Sequence, residues 1–284
     1  EIMRTLIKPG EKVMLNSPVY ENIWRWISEV HATTIDTPLS EDNLSYKLDL
    51  AAIEKEYQNG VKVHILCHPH NPVGAIFSKD QLSDLADLAK KYQVVILSDE
   101  IHAPLTYDAK TFTPFLNVSQ NAKEVGITIT SASKSFNLAG LKCAFIITDS
   151  IKLQERINVM PPAVTWRASL FGAVASTAAY AESVDWLDGV LITLDQNRKL
   201  VEKLIATKAP AIKYRIPDFG YLAWLDLSAL GLGEDPSAAI LEKGKLAVNG
   251  GVLYGPKHKS FVRLNFGTSP EIITEAFDRL ANCL

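Results

Sequence analysis

VGITITSASKSFNLAG, residues 125–140, runs from a β-branched stretch into small hydroxyl residues and a single lysine. Residues 125–130 have the composition of a strand. Ser131, Ser133 and Lys134 follow directly. A surface lysine has no need of a place just past a buried strand, between two serines. A lysine that bonds covalently to a carbonyl, beside a phosphate, does.

Working outward, residues 13–15, 61–67, 94–97 and 143–148 read as further strands. Several are continuous apolar runs, as in sheets covered on both faces. Residues 20–31 read as a helix, and Ser78 opens another. Ser78 and Gln81 have capping-box spacing, and Leu82, Leu85, Ala86 and Leu88 supply an apolar stripe. This alternation predicts an α/β fold with a mostly parallel sheet. Beyond about residue 165 the pattern changes. Helical stretches at 166–181 and 185–209 precede short strands at 213–216, 221–226 and 261–266 and a final helix from about Pro270. The expected organisation is a large domain over 1–167 and a smaller C-terminal α+β domain over 168–284.

Composition excludes several classes. The chain has 284 residues, 47% hydrophobic, with a net charge of −3 and no basic stripe, so it has enough apolar material for a large core and offers nothing to nucleic acid. Cys67, Cys143 and Cys283 are odd in number and lack CxxC spacing, which argues against a disulfide framework or zinc and for a reducing, cytoplasmic setting. The apolar stretch 168–181 is short and interrupted by Gly172. It reads as a buried helix and not a membrane span. The five tryptophans read mostly as core and Cys143 as a buried strand thiol. His68 and His70 resemble a metal pair only in spacing, with no third ligand, so no metal is expected.

In parallel α/β sheets ligands gather at the carboxyl ends of the strands. Residues 68–74, HPHNPVG, follow one strand, and residues 98–105, SDEIHAPL, follow the next. With the segment after residue 130, three consecutive strand ends offer Asn71, Asp99 and Lys134. An amide, a carboxylate and an amine in one crevice meet the needs of pyridoxal 5'-phosphate. That cofactor takes a covalent lysine, a carboxylate on its ring nitrogen, a donor at its ring oxygen and a phosphate site. Asp99 suits the nitrogen and Asn71 the oxygen. Ser131 and Ser133 suit the phosphate, with backbone N–H groups and Lys142.

SASKSFNLAGLK, HPHNPVG and LSDEIHAPL resemble the fold-type I pyridoxal-phosphate enzymes, the class I/II aminotransferase superfamily. Within it they look most like the cystathionine β-lyase, or cysteine C–S lyase, branch. PVYENI, YLAWLDLSALGL and FVRLNFGTSP extend the likeness along essentially the whole chain, in the family's order. The resemblance implies an aspartate-aminotransferase-like fold and a homodimer acting on a small amino acid. It makes Lys134 the Schiff-base lysine, Asp99 the pyridinium partner and Asn71 the residue at the ring hydroxyl. Tyr20 becomes the stacking aromatic, Ser131 and Ser133 phosphate ligands, and Arg263 the clamp on the substrate α-carboxylate.

Two positions depart from ordinary aminotransferases. Lys142 stands where they usually carry a phosphate-gripping arginine, and His102 where they usually carry a tyrosine. Both departures look like the lyase branch, with His102 left to contact either the ring or its surroundings. The family also has an N-terminal stretch ahead of the point matching Glu1, so the sequence is expected to be part of a longer chain. The implied activity is β-elimination from cystathionine or related cysteine S-conjugates. An aminotransferase is the first alternative, and a non-catalytic pyridoxal-phosphate module or inactive fragment the second.

Overall fold

The structure is a computed structural model and describes residues 1–108 and 111–283. Its strands are β1 (Lys12–Leu15), β2 (Thr33–Asp36), β3 (Ser40–Asp42), β4 (Ser45–Lys47), β5 (Val61–Cys67), β6 (Val95–Asp99), β7 (Gly126–Thr130), β8 (Phe145–Ile147), β9 (Lys213–Tyr214), β10 (Leu222–Asp226), β11 (Asn249–Gly250) and β12 (Phe261–Asn265). Its helices are α1 (Ile2–Leu6), α2 (Glu21–Glu29), α3 (Leu50–Gln58), α4 (Lys79–Tyr92), α5 (Gln120–Val125), α6 (Ala132–Ser135), α7 (Ile151–Asn158), α8 (Pro162–Trp166), α9 (Leu170–Glu182), α10 (Val184–Lys208), α11 (Pro236–Gly244) and α12 (Pro270–Ala281).

The main sheet has six strands in the order β2-β1-β5-β6-β7-β8. Its pairs are parallel except β7–β8, which is antiparallel. Strand alternation sorts its side chains into two cores. Met14, Leu66 and Ile96 meet α3, α4 and α5 through Ile53, Leu82, Leu85 and Ala122. Val13, Leu15, Ile65, Leu97 and Ile127 meet α1, α2 and α7 through Leu6, Ile23, Ile27 and Leu153. Both faces are therefore covered, which is why these strands read as continuous apolar runs. Ser78 caps α4, its side chain accepting from the Gln81 amide at 3.2 Å.

The second sheet, β11-β12-β10-β9, is antiparallel. It packs on α10 and α12 through Val201, Leu204, Leu225, Leu264 and Phe277. Residues 167–169, where the sequence places the division, link α8 to α9.

Several expectations need correction. The helix over 166–181 is two: Trp166 ends α8, and Ser169 starts α9 afresh, its side chain accepting from the Gly172 amide at 3.1 Å. Gly172 does not interrupt α9 but lies where an added Cβ would meet the Leu141 carbonyl at 2.4 Å. Nor is α9 buried: Leu170 is 76% and Phe171 77% exposed. Its apolar residues encircle the helix, and among the described residues only the side bearing Gly172, Ser176 and Ala179 is buried. The tryptophans likewise divide, with Trp224 buried but Trp166 83% exposed and Trp26 and Trp186 also exposed. Cys143 is half-buried and precedes β8. Among the described residues no helix is long and apolar enough to cross a membrane.

Candidate active site

Side chains from the ends of β5, β6 and β7 line one cavity of about 550 Å³. Tyr20, Asn71, Asp99, His102, Ser131, Ser133, Lys134, Lys142 and Arg263 all stand in its wall. The sequence names these nine residues from five separate segments, so their meeting is the main result of the fold.

The loops that carry them are stitched together by backbone. The Tyr20 amide donates to the Asn71 carbonyl at 3.1 Å, and the Val19 amide to the Tyr254 carbonyl at 2.8 Å. His70 joins the Cys67 carbonyl at 3.1 Å and the Pro18 carbonyl at 2.8 Å through its two ring nitrogens. His68 stacks on Phe112 with centroids 4.8 Å apart, and its Nε2 donates to the Thr113 carbonyl at 3.2 Å. Both histidines hold loops in place. Among the described residues no group of three His, Cys, Asp or Glu could hold a metal ion.

Strand alternation separates two neighbouring acids. Glu100 turns into the core, where it accepts from Ser98 Oγ at 2.9 Å, the Phe115 amide at 2.9 Å and Thr128 Oγ1 at 3.3 Å. Asp99 faces the cavity, and among the described residues only the Ile101 amide donates to its side chain, at 3.3 Å. Burial pushes its carboxyl up to about 6, against the pull of that amide and of Lys134. Lys134 lies in the short α6 and is half-buried. Among the described residues nothing hydrogen-bonds or ion-pairs with its amine, so the nitrogen is free to react.

Arg263, on β12, sits opposite Trp224 on one side and Asn249 on the other. A charge there calls for a partner. Among the described residues no carboxylate supplies one. Instead its guanidinium donates to Asn71 Oδ1 at 3.0 Å and lies 4.9 Å from the Tyr254 ring centre. Engaging Asn71 Oδ1 leaves the Asn71 Nδ2 to donate elsewhere. Ser131 donates to the Cys143 carbonyl at 2.6 Å, accepts from the Ser133 amide at 3.1 Å and also meets the Ser133 hydroxyl. Its proton is thus committed within the loop, which leaves Ser133 as the freer hydroxyl. Exposed Lys142 adopts a left-handed φ of 53° at the cavity edge.

His102 is buried between Phe219, 5.7 Å away, and Tyr221, 5.9 Å away, measured between ring centres. Burial, reinforced by Lys134 and Arg263, pushes its pKa down to about 3, so the imidazole is neutral. Its Nδ1 is buried without a hydrogen-bond partner. Glu21, Trp26 and Tyr221 also line the cavity and are not singled out by sequence reasoning. Tyr221 leads into β10, where it reads as an ordinary strand aromatic. Glu21 reads as an ordinary first-turn helix acid.

The model of the aminotransferase class I and II family matches residues 1–280. The chain belongs to that family. It is 31% identical over 285 residues to cystathionine beta-lyase PatB of Bacillus subtilis, covering 99% of this chain and 74% of the relative. It is 34% identical over 281 residues to cystathionine beta-lyase of Corynebacterium glutamicum, covering 98% and 73%. Its structure matches that of cystalysin from Treponema denticola, which contains a pyridoxal 5'-phosphate cofactor, with a TM-score of 0.93 at 28% identity, over 99% of this chain and 72% of that one. The fold is thus that of the fold-type I pyridoxal-phosphate enzymes, with a mixed, mostly parallel sheet.

The donor set fits the cofactor that this family implies. An unpaired amine faces the same space as a half-buried carboxylate, and an amide N–H₂ with its oxygen already taken stands beside them. Such a set suits a carbonyl carbon, a protonated ring nitrogen and a ring oxygen.

Proposed function

We propose that this chain is a pyridoxal-phosphate-dependent carbon–sulfur lyase. It removes the β-substituent of cystathionine or a related cysteine thioether and yields a thiol, pyruvate and ammonia. The observation that carries the reading is the convergence of Lys134, Asp99 and Arg263 on one cavity in a chain related over nearly its whole length to cystathionine beta-lyases.

When bound, the cofactor supplies a sink for the electron pair left at the substrate α-carbon. Lys134 would hold it covalently, and its Nζ, when free, would take the α-proton. Asp99 would keep the ring nitrogen protonated. A pyridinium brought beside it favours its ionised form over the neutral form that burial favours. Asn71 Nδ2 would donate to the ring oxygen, and Tyr20 would cover the ring. His102, kept neutral, adds no charge at the ring oxygen. Ser133, Ser131 and Lys142 face the phosphate. Arg263 takes the substrate α-carboxylate in a two-pronged contact, fixing which substituent of the α-carbon points at Lys134.

An aminotransferase would use the same residues up to proton removal. The discriminating experiment supplies cystathionine to the pyridoxal-phosphate-loaded protein without any keto acid. Stoichiometric pyruvate and homocysteine, turnover after turnover, are expected. Products that appear only when a keto acid is added would overturn the lyase assignment. The three cysteines are unpaired, which suits the reducing cytoplasm; subcellular fractionation checks that location.

The reading includes a homodimer. Support comes from the exposed apolar residues of β8, α8 and α9, among them Phe145, Ile146, Ile147, Trp166, Leu170 and Phe171. Exposed apolar side chains gathered on neighbouring elements mark an interaction surface, and Phe145 of β8 meets Tyr180 of α9 with ring centres 6.4 Å apart. Sedimentation should give a mass near twice 31.3 kDa, and Leu170→Asp with Phe171→Asp should return it to one chain. A monomeric wild-type protein would refute the proposal.

A further inference from the structure

Glu21 is the first residue of α2 and follows Tyr20 directly. It lines the active-site cavity, and among the described residues its Oε2 is buried with no hydrogen-bond partner. A carboxylate in a first helical turn is favoured by the helix dipole, but that benefit needs no burial of an unpaired oxygen. Such an oxygen is costly until a cation or donor meets it.

The cavity wall holds two carboxylates, Asp99 and Glu21, and three cations, Lys134, Lys142 and Arg263. Asp99, Lys134, Lys142 and Arg263 all have partners in the bound cofactor or in the α-carboxylate. Glu21 alone has none. Its charge reaches the same tyrosine that Arg263 covers: burial raises the Tyr254 phenol, Arg263 opposes this and Glu21 adds to it. Tyr20, next to Glu21, donates its amide to the Asn71 carbonyl at 3.1 Å, and Arg263 donates to Asn71 Oδ1 at 3.0 Å, so Glu21 is near the end of the cavity where the amino acid is gripped. Trp26, 38% exposed and edge-on to Tyr20 at 6.0 Å, offers an apolar rim at the same mouth.

We infer that Glu21 is a specificity residue that selects cysteine thioethers whose departing thiol carries an ammonium group. The carboxylate meets the ammonium, and the alkyl stem between sulfur and nitrogen lies along the Trp26 rim. The inference rests on the lyase reading for its substrate class.

An isosteric pair tests it: S-(2-aminoethyl)cysteine against S-propylcysteine, which differ by ammonium for methyl. The pyridoxal-phosphate-loaded wild type, Glu21→Gln and Glu21→Asp are compared by kcat/KM for pyruvate release. Lysine and 2-aminoheptanoate, the carbon analogues with no C–S bond to break, are compared by calorimetric Kd. Glu21→Gln is expected to lower the preference for the ammonium member about tenfold or more in both pairs. Glu21→Asp, which keeps the charge, should recover part of it. A preference unchanged within about twofold in Glu21→Gln, or no better in Glu21→Asp than in Glu21→Gln, overturns the inference. If the wild type releases no pyruvate from either thioether, the Kd ratios alone decide the role of Glu21, and the cystathionine experiment decides the lyase reading.

Discussion

Lys134→Ala is expected to lower pyruvate release from cystathionine by at least about a thousandfold, the range for losing a positioned general base. Nucleophile and base are here one nitrogen, so the substitution removes the covalent hold on the cofactor and the acceptor of the α-proton together. The wild type with added pyridoxal phosphate should develop a visible absorbance band that borohydride bleaches irreversibly. The variant should show no such band. A misfolded protein would look similar, and the geometry predicts how the two differ. Lys134 is half-buried and makes no hydrogen bond or ion pair among the described residues, so the ligand-free variant should unfold at the same urea midpoint as the wild type. Lys134→Arg should fail equally, because a guanidinium keeps its proton at any accessible pH. Turnover by Lys134→Ala within about tenfold of the wild type would move the chemistry to another residue.

Asp99 shows why so much of this site is legible in the sequence. Parallel strands present their carboxyl ends at one edge, and a ligand sits there whatever the details of the helices. Once residues 61–67, 94–97 and 125–130 read as strands, the polar residues after them have to share a crevice. The antiparallel direction of β8 and the two-residue strand β11 are less legible, because they depend on partners distant in the chain. So is α9, whose apolar composition marks a covered helix without showing what covers it. Glu21 stays hidden for another reason. A first-turn acid is so ordinary that only the buried, unpaired oxygen in the folded chain distinguishes it.

Acid should destabilise the ligand-free chain well above the pH at which carboxylates usually titrate. Burial holds His64 and His102 at about 3 and His68 at about 4. His70 also falls to about 4, although the carbonyls of Pro18 and Cys67 oppose the shift. His64 shows why these rings resist protonation: fully buried, it accepts from the Tyr57 hydroxyl at 2.7 Å and donates to Asn16 Oδ1 at 2.6 Å as a neutral ring. All four titrate near 6.5 when unfolded. The folded state therefore binds fewer protons, and its stability is present above about 6.5 and lost as the pH falls below it. Asp99 and Glu100 act in the opposite sense. Burial lifts both to about 6, so near pH 5 they hold protons in the folded chain that they release on unfolding. The four imidazoles outweigh the two acids by about two protons near pH 5, a slope of about 3 kcal/mol per pH unit. Thermal melts between pH 7 and pH 5 should thus show a steep fall in Tm. His68→Phe, which keeps an aromatic ring against Phe112 and removes one of the four imidazoles, should flatten the slope near pH 5 by about 1 kcal/mol per pH unit. A Tm that holds steady from pH 7 to pH 5 would mean that these histidines are charged, or reached by water, in the folded chain. The neutral His102 assigned to the ring oxygen would then fail with them, because the same burial argument keeps both it and His64 neutral.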